Sequence, residues 1–263
     1  MSRKGRRDAC ALVHNRLMPD AVPCDYDEHP ERFRTARSVQ RRHGMAGDIH
    51  ELVARRLIAA GATPVLDVGC GEGELARHLP PGAWIGVDSS PAMLARAPSP
   101  HRRADATELP FEDGHFGGVA LLYVLYHLAE PARALAEAHR VLRPGGLVAV
   151  AVPSRHDSPE LAHALPRRAL TCDAERAPGL VGALFDHVEV EPWDAPLLEL
   201  PTRTAVRDYI VGKGGDRERA QTAAATVTLP LVVTKRGALV FARRRAGDTL
   251  AVALPGRRMR HAR

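Results

Sequence analysis

The sequence predicts an α/β fold: a doubly wound sheet, mostly parallel with an antiparallel edge hairpin, and helices on both faces. Three observations carry that prediction. From residue 63 onward, short near-continuous apolar runs alternate with helical patterns, the order that right-handed crossovers turn into a parallel sheet covered on both sides. The first of these runs ends in a glycine-rich turn, Gly69-Cys70-Gly71-Glu72-Gly73, and sheets of this kind bind ligands at the carboxyl ends of their strands. The 263 residues, 45% hydrophobic and 26% charged, suit one large domain or two modest ones and exclude a disordered or collagen-like chain.

Each element follows from a local pattern. The first 42 residues are charged and broken by Pro19, Pro23 and Pro30, so a mobile basic tail is expected there, followed by a short helix over about 31–40. Ile49, Leu52, Val53, Leu57 and Ile58 recur at helical spacing, and Gly61 stands where a helix C-cap is favoured. Strands are expected at Val65-Leu66-Asp67-Val68, at Trp84-Ile85-Gly86-Val87-Asp88, over 119–125 and over 147–152. A helix around 75–79 should follow the glycine turn. Ser90-Pro91 gives the next helix an N-cap and a proline at its first position. Pro131 opens a third, with Ala134, Leu135, Ala138, Val141 and Leu142 on one face and Arg143-Pro144-Gly145-Gly146 as its stop. Beyond Val152 the alternation loosens. A helix is expected over 175–185, a strand over 187–193, a helix over 202–211, and a hairpin of 229–234 with 238–243 turning at Lys235-Arg236-Gly237.

No apolar run approaches the ~20 residues of a membrane helix, and the basic start leads only into the short Ala9-Cys10-Ala11-Leu12-Val13. A cytoplasmic protein is expected. Cys10, Cys24, Cys70 and Cys172 are scattered, with no C-x-x-C pair and no histidine at zinc-finger spacing, so reduced thiols are expected, with neither a disulfide framework nor a metal site. The formal charge of +6 raises the question of a nucleic-acid partner. It is unevenly spread: residues 1–60 carry +4, residues 231–263 carry +8, and 61–230 carry −6. Only Lys4, Lys213 and Lys235 are lysines; every other basic residue is arginine.

The glycine turn is not a dinucleotide fingerprint. Counting from Gly69, the sixth position of G-x-G-x-x-G is Glu74, and Glu72 and Glu74 lie where a pyrophosphate would need an unopposed positive helix end. A ligand with an adenosine, no phosphate and a positive charge fits better, and S-adenosylmethionine has those features. Asp88, 19 residues after Gly69, can accept hydrogen bonds from both ribose hydroxyls. Asp105, at the end of the third strand, can accept one from the adenine amine.

Four stretches in the right order carry a resemblance over residues 63–152: the Val65 to Gly73 segment, Gly86-Val87-Asp88-Ser89-Ser90-Pro91-Ala92-Met93-Leu94, Asp105-Ala106-Thr107-Glu108-Leu109-Pro110-Phe111-Glu112-Asp113, and Val141-Leu142-Arg143-Pro144-Gly145-Gly146. They resemble the Rossmann-like class I S-adenosylmethionine-dependent methyltransferases, in the branch of the ubiquinone and menaquinone-biosynthesis enzymes and many small-molecule methyltransferases of secondary metabolism. The resemblance implies S-adenosylmethionine as cofactor, with Asp67 and Gly69 near its methionine part and Gly71 in the same turn. It implies Asp88 on the ribose, Ser89 and Met93 beside the adenine, Asp105 and Ala106 at the adenine edge, and the main chain of Leu122 beneath the methionine. A methionine on an apolar helix face is also ordinary core filler. Where the family usually has Phe-Asp before its fourth strand, this sequence has Phe116-Gly117-Gly118, which should loosen the start of that strand. The domain then spans 43–245, with a cofactor-binding core at 63–152 and a substrate-side insertion at about 153–185, between a basic N-terminal tail and cap at 1–42 and a basic tail at 246–263.

His127 stands just beyond the fourth strand, where such enzymes meet the acceptor. It is a candidate general base or orienting group, with a structural histidine as the plain alternative. Tyr26, Tyr123 and Tyr126 are candidates for the pocket wall or the core. One of Arg34, Arg37, Arg41 and Arg42 can reach the cofactor carboxylate or an acidic substrate, although such runs are usually solvated. The expected reaction is displacement of the sulfonium methyl by a small organic acceptor. The alternatives are an RNA or protein methyltransferase using the basic ends, and a non-catalytic protein that binds S-adenosylmethionine. The acidic middle and the 4% of aromatic residues argue against nucleic acid.

Overall fold

The computed structural model describes Asp27 and residues 29–166 and 170–245. Its strands are β1 (Val65–Val68), β2 (Trp84–Asp88), β3 (His101–Arg103), β4 (Phe116–Leu122), β5 (Leu142–Pro153), β6 (Asp186–Leu200) and β7 (Leu231–Arg243). They form one sheet in the order β3-β2-β1-β4-β5-β7-β6. The first five run parallel, and β7 is antiparallel to both β5 and β6. The order reverses between β1 and β4, and that switch point, at the carboxyl ends of the strands, is where a doubly wound sheet takes its ligand.

The strands read as continuous apolar runs because both faces are buried. Alternate residues divide cleanly: Leu66, Val68, Val119, Leu121, Val148 and Val150 pack on one side with α4 (Pro131–Val141), whereas Val65, Ala120, Leu122, Ala149 and Ala151 pack on the other with α2 (Ile49–Ala59). Each valine or leucine among them contributes about 1.5–3 kcal/mol on burial. A third cluster joins Val39 of α1 (Pro30–His43) to α6 (Arg203–Gly212) and α7 (Arg217–Thr226) through Val206, Ile210, Ala220 and Ala224. Two short helices, α3 (Pro91–Leu94) and α5 (Ala177–Gly182), complete the set.

Several sequence expectations are corrected. The segment after the glycine turn is a 3-10 turn, Leu75–His78, instead of an α-helix. The fourth strand starts at Phe116 and ends at Leu122, so Gly117 and Gly118 lie inside it. A Cβ on Gly117 would stand 2.6 Å from the Thr63 carbonyl, so the glycines permit a close backbone approach. The helix expected over 175–185 is only the single turn and a half of α5. The hairpin at Lys235-Arg236-Gly237 is absent: these residues sit mid-strand in β7, where Gly237 pairs with Pro153 of β5 and Trp193 of β6. A Cβ at Gly237 would stand 2.2 Å from the Trp193 ring, so this glycine makes room for an indole and does not mark a turn. The true partner of β7 is β6, reached through α6 and α7. Helix α7, rich in small residues, had no readable apolar stripe.

Candidate active site

The carboxyl ends of β1 and β2 meet at the glycine turn. Gly69, Gly71 and Gly73 all have positive φ, at 68°, 56° and 78°, a region that side chains other than glycine rarely enter. Gly69 faces a second restriction, since a Cβ there would stand 2.4 Å from Val124. The turn is tied to the second strand by Asp88, whose two carboxylate oxygens accept from the Gly71 amide at 2.9 Å and the Ser90 amide at 2.8 Å. Each oxygen retains a further lone pair for a ligand hydroxyl. Burial pushes the Asp88 carboxyl above its usual range, and the two amides oppose that shift.

Asp67 is only 4% exposed. It accepts one hydrogen bond, from Trp84 Nε1 at 3.1 Å. Burial outweighs that bond and raises the carboxyl to about 6. Cys70 lies beside both acids, and its buried thiol is pushed up by burial and by Asp67 and Asp88, which removes it as a nucleophile. A buried carboxylate with one donor suits a cationic amino group, and Asp88 suits a diol. The donor set thus fits S-adenosylmethionine. Among the described residues no cluster of three or more histidine, cysteine or acidic side chains could hold a metal ion.

Glu72 and Glu74 are not free to repel an anion. Arg34 Nε reaches Glu72 at 2.8 Å. Glu74 takes Arg37 at 2.9 Å, Arg41 at 2.7 Å and Arg77 at 3.1 Å. The acidic pair is therefore compensated, and three of the five arginines of α1, Arg34, Arg37 and Arg41, dock that helix on the turn. Arg42 is exposed.

The structure brings Asp67, Gly69, Gly71 and Asp88 together. Ser89 is exposed next to them and its carbonyl accepts from Arg103. Met93 is fully buried, like a core residue. Asp105 lies exposed in the loop after β3, with Oδ1 accepting from the Thr107 amide and hydroxyl at 2.8 Å, and Ala106 is half-buried beside it. Leu122 ends β4 against the glycine turn's side of the sheet. Tyr123 follows with φ 60°, and burial pushes its phenol up to about 12. The Tyr126 and His127 rings lie tilted by 38° with centroids 4.3 Å apart in a short 3-10 turn. Tyr26 and the two tails' ends lie outside the described residues.

Other residues at this end had no sequence motif. Lys235 of β7 donates to Tyr209 Oη at 2.9 Å, to Ser158 Oγ at 3.1 Å and to Asp157. Ser158 and Tyr209 share a hydrogen bond of 2.6 Å, and Lys213 stands 3.5 Å from Asp157. The one sequence signal for this group was the rarity of lysine: two of the chain's three meet here.

Residues 66–150 match the family described as methyltransferase domain. This segment is a methyltransferase domain. The chain is 31% identical over 193 residues to an uncharacterised 37.1 kDa protein in transposon TN4556 of Streptomyces fradiae, covering 65% of this chain and 55% of that one. It is 39% identical over 140 residues to trans-aconitate 2-methyltransferase of Deinococcus radiodurans, 48% of each chain. Demethylmenaquinone methyltransferase of Symbiobacterium thermophilum matches at 39% over 98 residues, 31% of this chain and 39% of its own. The chain thus spans about half or less of the length of these curated relatives. Among solved structures, the [4+2]-cyclase SpnF aligns with a TM-score of 0.59 at 21% identity, over 84% of this chain and 95% of its own. A possible histamine N-methyltransferase of Thermotoga maritima aligns at 0.57 and 17% identity, over 84% and 98%. These likenesses are of fold, and a cyclase shares that fold, so the reaction has to be argued from the site of the methyltransferase domain.

Proposed function

We propose that the protein is an S-adenosylmethionine-dependent methyltransferase acting on a small organic acceptor, in quinone or secondary metabolism. The observation that carries this reading is the pair of acids at the switch point: buried Asp67, which accepts from Trp84 Nε1, and half-buried Asp88, which accepts from the Gly71 amide. When bound, S-adenosylmethionine supplies a methyl group already activated on a sulfonium. Asp67 holds the cationic amino group of the cofactor, Asp88 its ribose, and Gly69 and Gly71 let the main chain approach. Ser89, Asp105 and Ala106 frame the adenine with Met93 behind them, and the Leu122 main chain lies under the methionine. Tyr123 and Tyr126 wall the acceptor space, and Tyr26 is assigned to it from sequence. What remains for the protein is to align the acceptor behind the methyl group and exclude water, so positioning supplies most of the rate effect. His127 takes or orients the acceptor proton.

The test is methyl transfer from a methyl-labelled donor to separated small-molecule, RNA and protein fractions. Label is expected in the small-molecule fraction. Label confined to RNA or protein, or cofactor binding without label in any fraction, would contradict the reading. In the same assay His127→Ala should lower turnover and remove one limb of its pH profile; an unchanged profile would end the base role.

A further inference from the structure

We propose that Arg37 holds the carboxylate at the amino-acid end of the cofactor. The proposal rests on the methyl-transfer reading and deepens it: Asp67 meets the amino group and Asp88 the ribose, which leaves the carboxylate to be matched. Two observations point to Arg37. One is a surplus of positive charge on the rim of the glycine turn, where the guanidiniums of Arg34, Arg37, Arg41, Arg77 and Arg96 lie within 3.7 Å of only two carboxylates, Glu72 and Glu74. The side chains of Arg41, Arg77 and Arg96 are 55%, 58% and 60% exposed, so water screens them, whereas that of Arg37 is 21% exposed and depends on partners at the site. The other observation is an orphaned donor. Arg37 Nη2 stands 2.9 Å from Glu74 Oε2, but its Nε is buried and has no hydrogen-bond partner among the described residues. A buried N–H left unpaired is costly, and more so on a charged group. Nε lies in the guanidinium plane, so a carboxylate oxygen can accept from it while Nη2 stays on Glu74.

Helix α1 sets this donor on the cofactor turn. Phe33 and Arg37 stand one helical turn apart and share a face. Phe33 Cζ lies 3.4 Å from where a Cβ of Gly71 would stand, and Arg37 reaches Glu74, so this face lies along the turn from Gly71 to Glu74. The other sides of the helix are fixed by packing: Val39 is buried in the cluster that α6 and α7 form, and a Cβ on Gly212 of α6 would stand 2.8 Å from the Ala36 amide nitrogen. The amino group and the carboxylate of the cofactor share one carbon. With the amino group on Asp67, two residues before Gly69, the carboxylate is confined to the neighbourhood of the turn. Arg34 already gives its Nε to Glu72 at 2.8 Å, and Arg42 is exposed. Arg37 is therefore the arginine of α1 that combines contact with the turn and a buried donor still to be paired.

The test crosses a variant with a ligand. The full chain is titrated calorimetrically with S-adenosylhomocysteine and with its decarboxylated counterpart, which keeps the adenosine, the thioether and the amine. The wild type should prefer S-adenosylhomocysteine by about tenfold or more, as expected for a charged hydrogen-bonded pair. Arg37→Gln should lower the affinity for S-adenosylhomocysteine by about tenfold and leave that for the decarboxylated ligand within about twofold, a coupling that loosening of α1 alone does not produce. Arg41→Gln, which loosens the same helix on Glu74, should change both ligands alike. Should Arg37→Gln fail to fold by circular dichroism, Arg37→Lys, which removes Nε and keeps the charge, carries the comparison. Equal wild-type affinity for the two ligands, an equal loss of both in the Arg37 variant, or a carboxylate-selective loss in Arg41→Gln would overturn the proposal. Absence of binding of either ligand by the wild type would defeat the cofactor reading and the proposal with it, whereas binding of both without preference defeats only the role of Arg37.

Discussion

Asp67 is a carboxylate in a place where ionisation is costly. Flanked by fully buried Leu66 and Val68 and holding one indole N–H, it titrates near 6. In the folded protein it takes up its proton on falling through pH 6, earlier than an unfolded aspartate, so this group lowers stability above pH 6 and less so below. A bound cation reverses the preference and favours the ionised form. Cofactor affinity should therefore hold above pH 6 and fall about tenfold between pH 7 and pH 5, and Asp67→Asn should bind weakly with no such slope. Calorimetry across that range checks this; a flat profile in the wild type would show that Asp67 does not face the cation. The acids Asp67, Asp88 and Asp105 were legible in sequence because each lies near the end of a strand or just after one. Trp84 was not, because a tryptophan in an apolar strand looks like core, and its partner lies 17 positions away. Lys213 and Asp157, 56 positions apart, depend on how β5, α6 and β7 are brought together, which no local pattern records.

Helix α1 is the element whose role changes most between sequence and structure. Its arginines look like a solvated face, yet Arg34, Arg37 and Arg41 are spent on Glu72 and Glu74 across more than thirty positions. Burial pushes the Glu74 carboxyl up, but the guanidiniums of Arg37, Arg41 and Arg77 outweigh it and hold it below its usual value. The stabilisation is present above the ordinary glutamate pKa and is lost as pH falls through the depressed value. Glu74→Gln should destabilise the protein by about 1–2 kcal/mol, discounted because the arginines are partly exposed, and should weaken cofactor binding by loosening α1. Urea midpoints measure the first effect; an unchanged midpoint would mean the cluster is ornamental to stability. Strand β7 shows the opposite failure of local reading. Lys235-Arg236-Gly237 has turn composition, but its glycine answers to Trp193 on the neighbouring strand. Composition records which conformations a residue permits, and the neighbour decides which one is used.

At the scale of the molecule, the parallel core was readable because strands buried on both faces leave unbroken apolar runs. The antiparallel edge was readable as such, but its strand bounds, its turn and helix α7 were not, since half-exposed strands and small-residue helices carry weak periodicity. The acidic surplus of residues 61–230 now has a partial answer inside the chain, where arginines of the N-terminal helix neutralise the acids of the turn that follows β1. No helix among the described residues is long and apolar enough to cross a membrane. Everything proposed for the acceptor side depends on a cofactor seated between Asp67 and Asp88. The most direct measurement is isothermal titration of the full chain with S-adenosylhomocysteine, alongside Asp88→Ala shown by circular dichroism to be folded. A saturable isotherm is predicted for the wild type, with Asp88→Ala weaker by about tenfold or more, as expected for lost hydrogen bonds to a charged group. No binding by the wild type, or equal binding by a folded Asp88→Ala, would contradict it.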